Sequence, residues 1–283
     1  MLLFQVFRLV ESLSSLDQSY LASLRNILLG LKKVCVAYSG GVDSSLVAAI
    51  AFEQLGPEAI AVTGISPSLA PYLLNEARLQ AAWLGIEHRE CETNELEDDS
   101  YRSNLNNRCY ICKRELHISL QAIAKKNNTY QVVDGVNFDD INDYRPGIKA
   151  AQELEVISPL VDAKINKNSV RNISKALGLP WWDKPSEPCL ASRFPYGNEI
   201  NNYRLSQVAK AESWLRSNGF KEIRVRSQGL SARIELPYEQ VGNFLLNIDR
   251  KKIVDYFLKI GFTSVSLDLE GLVSGKLNRK SIK

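Results

Sequence analysis

Val34-Cys35-Val36-Ala37-Tyr38-Ser39-Gly40-Gly41-Val42-Asp43-Ser44-Ser45 decides how this chain folds. Its first five residues are almost wholly apolar, the composition of a strand buried on both faces, and Leu46, Val47, Ala49 and Ile50 continue at helical spacing. A strand therefore feeds a helix through Ser-Gly-Gly. Gly40 and Gly41 open backbone conformations closed to other residues and let a ligand approach the main chain. The helix start beyond them presents unpaired N–H groups and a partial positive charge, which is a place for an anion. The hydroxyls of Ser39, Ser44 and Ser45 add donors, and several donors suit the many oxygens of a pyrophosphate better than a single carboxylate. The bland alternative is a serine-capped glycine turn that holds nothing.

The lysine of a GxxxxGK[ST] phosphate loop is missing, and so is the third glycine of GxGxxG, so neither the P-loop NTPase nor the dinucleotide fold is supported. Ser-Gly-Gly-Val-Asp-Ser-Ser instead resembles the PP-loop of ATP pyrophosphatases. That resemblance implies ATP cut between its α and β phosphates, AMP transferred to a substrate oxygen, and pyrophosphate released.

The length of 283 residues suits one large domain or two unequal ones, and two are expected, residues 1–185 and 186–283. Lysines and arginines number 35 against 32 aspartates and glutamates, and this balance of +3 is too weak to argue for nucleic acid. No stretch reaches the roughly 18 apolar residues of a membrane helix, and the N-terminus lacks a basic region ahead of its short apolar run, so a cytoplasmic protein is expected. Five cysteines, an odd number, read as thiols or metal ligands rather than a disulfide framework.

Residues 1–30 suggest one or two amphipathic helices, from Leu9, Leu13, Leu16, Leu21, Leu24, Ile27 and Leu28. Beyond the loop and its helix the pattern predicts strands at Glu58–Gly64, Ile86–Cys91, Tyr130–Asp134 and Glu155–Ile157, with a helix at Leu69–Leu84. Strands and helices that alternate in this way predict an α/β fold, a parallel sheet with helices on both faces. Open sheets of this kind bind ligands at the carboxyl ends of their strands. Asp134-Gly135-Val136-Asn137-Phe138-Asp139-Asp140 follows the fourth strand directly and resembles the second nucleotide-site motif of PP-loop enzymes. ATP needs Mg2+ across its phosphates, and Asp43 and Asp140 are the candidates to hold it. An Asx-rich turn leading to Tyr144-Arg145-Pro146-Gly147 is the plainer reading of each carboxylate.

Arg108-Cys109-Tyr110-Ile111-Cys112-Lys113 opens a helix expected to run to about Lys126. Helix N-termini and basic neighbours favour thiolate and metal ligation, although redox pairing and two unrelated thiols are alternatives. Cys189, in the proline-rich Pro185-Ser186-Glu187-Pro188-Cys189-Leu190-Ala191-Ser192-Arg193 segment, supplies a third thiol. That segment is expected to join the domains and to lie across the carboxyl edge of the sheet. Three thiolates can hold three irons of a [4Fe-4S] cluster and leave the fourth open to an extra sulfide, whereas zinc needs one more protein ligand. His88 and His117 are explained by strand and helix patterns, and Cys35 and Cys91 read as packing residues.

Past Gly197 a smaller α+β unit is expected: helix Tyr203–Ser217, strands near Glu222–Arg226 and Ser231–Leu236, helix Asn247–Lys259, strand Ser264–Leu269. Glu212 falls on the apolar face of the first helix with Leu205, Val208 and Leu215, and an inward carboxylate demands a partner. Arg224, Arg226, Arg233 and Glu235 gather on one strand face. They are either a phosphate-binding set or a solvated surface with Glu–Arg pairs.

The PP-loop, Arg-Cys-x-x-Cys-Lys, Asn-x-Asp-Asp, Asp-Tyr-Arg-Pro-Gly, Cys-Leu-Ala-Ser-Arg and Arg-x-Arg occur in that order across residues 34–226. Together they resemble the ATP-dependent sacrificial sulfur transferases that build the nickel-pincer nucleotide cofactor of lactate racemase. The resemblance implies adenylation of a carboxylate on a pyridinium dicarboxylate mononucleotide, then sulfur transfer to give the thiocarboxylate. It implies ATP held by Ser39, Gly40, Gly41, Asp43, Ser44, Ser45, Asn137 and Asp140, with Mg2+ on Asp43 and Asp140. Cys189 matches the sulfur-donating cysteine, which in single-thiol members ends as dehydroalanine. Cys109 and Cys112 point to the three-cysteine type with a [4Fe-4S] cluster and a sulfide or other sulfur donor. Arg224, Arg226 and Glu212 match positions near the family's substrate site, with Arg193 a further candidate for the substrate phosphate and Glu212 a catalytic carboxylate beside Cys189 and Asp43. A homo-oligomer is implied, with no nucleic acid or membrane partner. The tail Leu269–Lys276 departs from the family pattern, which has tyrosine and arginine after the first glycine. Two rivals remain, a PP-loop tRNA thiolase and a non-enzymatic adenine-nucleotide-binding module.

Overall fold

The computed structural model describes residues 7–126, 130–142, 146–273, 275–276 and 279. The motif residues Asp143, Tyr144 and Arg145 and the tail residue Ser274 lie outside the described residues. The chain divides into two compact units, one of Met1–Ser66, Tyr72–Glu95 and Cys109–Glu187, the other of Pro67–Pro71, Leu96–Arg108 and Pro188–Lys283.

The first unit is the expected α/β layer. Strands β1 (Val34–Ala37), β2 (Ala59–Ile65), β3 (Glu87–Glu92) and β4 (Gln131–Val133) form one sheet in the order β3-β2-β1-β4, and every pairing is parallel. Alternation explains its two cores. Val34, Val36, Ala59 and Ala61 face α1 (Ser15–Leu31), α2 (Val42–Leu55) and later α8 (Lys167–Ala176). Cys35, Ala37, Ile60, Val62 and Val132 face α5 (Arg108–Lys126) through Leu120 and Ala124, and α6 (Pro146–Glu153) through Ala151. The helix α3 (Pro71–Leu84) joins β2 to β3. Ten of the fourteen residues of α2 are buried, so the helix that carries the glycine turn is itself a core element and cannot drift. Among the described residues the N-terminal segment yields one helix, α1, capped by Ser14 and tied to α2 by the Arg25 fork on Glu53 at 2.7 and 2.9 Å.

The expected strand at Glu155–Ile157 is only a parallel bridge from Val133 to Ile157, since Glu155 adopts a positive φ of 53° that ends extension. Short helices α4 (Asp99–Arg102) and α7 (Pro159–Asp162) fill connections.

In the second unit α9 (Asn202–Ser217) is capped by Asn201, and strands β5 (Arg224–Gln228), β6 (Ser231–Glu235) and β7 (Ser264–Leu267) form a sheet in that order. β5 and β6 pair antiparallel, β6 and β7 parallel. The helix expected at Asn247–Lys259 is α11 (Arg250–Lys259), and α10 (Tyr238–Asn247), which the pattern did not predict, precedes it. The break falls at Ile248 and Asp249, because the Asp249 carboxylate caps α11 by accepting from the Lys252 N–H at 3.0 Å. Among the described residues no helix is long and apolar enough to cross a membrane.

Candidate functional site

The sheet order makes the gap between β1 and β4 the point where connections leave in opposite directions, which is where such sheets hold ligands. Two loops meet there. After β1, Gly40 takes a φ of +67°, and a Cβ on it would stand 3.1 Å from Cα and Cβ of Ala77, so both conformation and space demand glycine. Gly41 is the N-cap of α2 and provides no side-chain cap. The first-turn amides are thus left for a ligand. The Ser39 hydroxyl accepts from the Gly41 N–H at 3.3 Å and lies 3.1 Å from the Ser44 hydroxyl, which in turn donates to Gly41 O. Ser45 differs from its expected role. It is fully buried and its hydroxyl donates to Gln80 Oε1 at 3.0 Å, because on the helix its direction is toward α3 and the core rather than the turn.

After β4, Asp134 is 4% exposed and accepts from Ser158 Oγ at 2.8 Å and Val136 N–H at 3.1 Å, and burial raises its carboxyl above the usual range. Gly135 was not singled out in the sequence, yet a Cβ there would lie 2.7 Å from Ser44 N and 2.9 Å from its Cα. The second loop is therefore seated main chain to main chain on the start of α2. Asn137 donates from Nδ2 to Asp43 Oδ1 at 3.3 Å and joins the two loops across the gap. Asp140 is 7% exposed and spends one carboxylate oxygen on the Asn137 N–H at 3.1 Å, so it shapes the turn first. Asp43 is the more open of the two Mg2+ candidates, its side chain 22% exposed. A carboxylate beside an amide oxygen is the donor chemistry Mg2+ takes, and the pair fits such an ion.

Two lysines missed in the sequence complete the site. Lys167, at the start of α8, donates from Nζ to Asp43 Oδ2. Lys184 donates to Gly40 O at 3.3 Å and to Glu76 Oε2 at 2.6 Å, with 12% of its side chain exposed. Neither has local periodicity to announce it, since their partners lie over a hundred residues away.

Cys109 is exposed and Cys112 half-buried in the first turns of α5. Cys189, in the second unit, is half-buried and caps the single turn Leu190–Arg193, its carbonyl accepting from Ser192 N–H at 3.0 Å. Among the described residues no three His, Cys, Asp or Glu side chains form a group able to hold a metal. Burial pushes the Cys35 thiol up to about 12 and raises Cys91 too, which suits packing residues. Burial lowers both histidines, His117 to about 3, and His88 Nε2 lies 2.8 Å from the Thr63 hydroxyl.

In the second unit the strand face read as solvated or phosphate-binding is largely buried. Glu212, 1% exposed, accepts Arg193 Nε at 2.8 Å, Arg193 Nη2 at 3.1 Å and the Val225 N–H at 2.9 Å. Arg193 also donates to Pro188 O at 2.8 Å. Arg226, 4% exposed, donates to Glu235 Oε2 at 2.9 Å and Ser192 O at 2.6 Å. The register puts Arg224 opposite Glu235, yet among the described residues the Arg224 side chain has no hydrogen bond or ion pair. Burial first, then the guanidiniums of Arg193 and Arg226, press its pKa below the usual arginine value. Glu235 and Glu212 attract it in turn, but both are already engaged by Arg226 and Arg193.

A family model described as asparagine synthase matches residues 16–103, the span of α1, the glycine turn and the first three strands. The chain is 51% identical to an uncharacterized protein, slr1717, of Synechocystis sp., over 93% of this chain and 98% of that one. It is 38% identical to the pyridinium-3,5-bisthiocarboxylic acid mononucleotide synthase of Lactiplantibacillus plantarum, over 91% of this chain and 93% of the relative. It is 32% identical to an uncharacterized protein, MJ0830, of Methanocaldococcus jannaschii, over 84% of this chain and 90% of that one.

Proposed function

This chain belongs to the family of the pyridinium-3,5-bisthiocarboxylic acid mononucleotide synthase, and from that premise we propose that it is an ATP-dependent sulfurtransferase acting on a pyridinium dicarboxylate mononucleotide. The observation that carries the reading is the meeting of Asp43 and Asn137 beside uncapped helix amides at the switch point of the sheet.

A carboxylate resists a sulfur nucleophile because neither oxygen can leave. Attack of a substrate carboxylate oxygen on the α-phosphorus of ATP breaks the α–β P–O bond, expels pyrophosphate and leaves an acyl adenylate. Sulfur then adds to the carbonyl carbon and AMP departs with the electrons of the C–O bond, giving the thiocarboxylate. The α2 amides and the Ser39 and Ser44 hydroxyls hold the polyphosphate, and Asp43 with Asn137 holds Mg2+, whose charge offsets that of the phosphates. Arg224 anchors the substrate phosphate, while Glu212 and Glu235 keep Arg193 and Arg226 fixed beside it. Holding the reactants together supplies much of the remaining acceleration.

The sulfur source is the finer part of the proposal. We propose Cys109 and Cys112 of α5 and Cys189, all free thiols, as the three ligands that a [4Fe-4S] cluster would take. If Cys189 itself donates, its Sγ bonds to the carbonyl carbon as AMP leaves; a base then takes the Cα proton, Cα=Cβ forms, and sulfur departs with the Cβ–Sγ electrons as the thiocarboxylate, leaving dehydroalanine. One experiment tests the whole. Protein purified without oxygen and mixed with ATP, Mg2+ and the mononucleotide should release pyrophosphate and form thiocarboxylate, and it should carry about four irons per chain. ATP bound without turnover would support a nucleotide-binding module instead. Thiolation of tRNA but not of the mononucleotide would support the thiolase. Iron-free protein that turns Cys189 into dehydroalanine would remove the cluster alone.

A further inference from the structure

The glycine turn lacks the lysine that phosphate loops of other folds carry within their own sequence. Two lysines reach the turn from elsewhere, and they differ in what they are committed to. Lys184 is bound to a main-chain carbonyl and to Glu76, and with 12% of its side chain exposed it serves as a brace for the turn. Lys167 has one partner, Asp43, and 28% of its side chain is exposed.

The position of Lys167 is not explained by its own helix. It stands in the first turn of α8, where a cation opposes the helix dipole and an acidic residue would be favoured. Its main chain is nevertheless fixed: the Lys167 N–H donates to Asp139 Oδ2 at 2.9 Å, and Asn166 caps the helix by accepting from Ser169 N–H at 2.9 Å. The second nucleotide loop thus orients α8 so that this ammonium reaches the mouth of the first. Asp43 is the residue that a divalent cation would claim, and a cation that claims it releases Lys167.

We infer that Lys167 is a polyphosphate-binding residue held in reserve. Before ligand arrives it neutralises Asp43. When Mg2+ takes Asp43, the freed ammonium swings to the β and γ phosphates and then stays with the departing pyrophosphate, doing from a distant helix what the missing loop lysine does elsewhere. The exchange keeps the charge of the site balanced at each stage, so neither Asp43 nor Lys167 is left uncompensated. The inference rests on the nucleotide-site reading above.

Calorimetric titration of the full chain with inorganic pyrophosphate and, separately, AMP tests it, because AMP lacks the phosphates Lys167 would hold. In Mg2+ buffer Lys167→Met should weaken pyrophosphate binding about tenfold or more and leave AMP binding within about twofold, a charged hydrogen bond being worth that much. Lys167→Arg should retain most of the pyrophosphate affinity, which guards against a folding defect in the first variant. In metal-free buffer Asp43→Asn should strengthen pyrophosphate binding, since it frees the lysine. Unchanged pyrophosphate binding in Lys167→Met, or equal losses for AMP and pyrophosphate, would overturn the inference. If the unsubstituted protein binds neither compound, the nucleotide-site reading itself fails and takes the inference with it.

Discussion

In the proposed function the glycine turn of the first unit and the arginine cluster of the second are given the same task, holding a phosphate, and they are built by opposite means. The turn uses main chain: uncapped amides at the start of α2, a left-handed Gly40, and only a few side-chain charges, one of them exposed enough to be exchanged. The cluster uses side chains: Arg193 and Arg226 are buried against Glu212 and Glu235, and Arg224 alone is left over. A main-chain site keeps its shape when a side chain is changed. A side-chain site built on buried charge does not, because removing one partner strands the other.

Three substitutions press on that contrast. Glu212→Ala should have the largest effect, a loss of about 3–5 kcal/mol in denaturant stability, because the buried Arg193 and the Val225 N–H lose their acceptor. Restoring most of that loss with Arg193→Met in the same chain would show that stranded charge is the cause. Asp43→Ala should lower pyrophosphate release about 100-fold, or about 2.7 kcal/mol in the barrier, and leave stability within about 1 kcal/mol, since the partly exposed Lys167 simply hydrates. Unchanged release would sink the nucleotide site. Arg224→Ala should raise the substrate KM by an amount worth about 1.5–3 kcal/mol, with the ATP KM unchanged and thermal stability no lower, because burial first and then two neighbouring guanidiniums disfavour the charge that is lost. A fall in melting temperature with normal kinetics would show Arg224 to be structural and erase the difference between the two sites.

Much of the first unit was legible because its signals are local. Val34 to Ser45 carries strand, turn and helix within a dozen residues, and α5 runs from Arg108 to Lys126 as its periodicity predicts. What escaped depends on pairs far apart in the chain. Lys167 and Lys184 look like surface residues until folding brings Asp43 and Gly40 O to them. Ser45 shares a motif with Ser39 and Ser44, but one helical step turns its hydroxyl to Gln80. The inward Glu212 was visible from helical phase, yet only burial shows that the arginine face is compensated rather than solvated. The start of α11 at Arg250 rather than Asn247 escaped because Asp249 has the choice of helix interior or cap, and neighbouring apolar periodicity does not say which it takes.

Gly135 has a thermodynamic consequence. With its Cα against the main chain of Ser44, neither nucleotide loop can move without the other, and neither waits for a ligand to acquire its form. The ordering entropy that flexible phosphate loops lose on binding is here lost once, during folding, and is absent from the free energy of each binding event. Affinity for the polyphosphate is then governed by side-chain rearrangement alone. On the exchange inferred for Lys167, the only movement left is that of one side chain, which is faster than a loop closure.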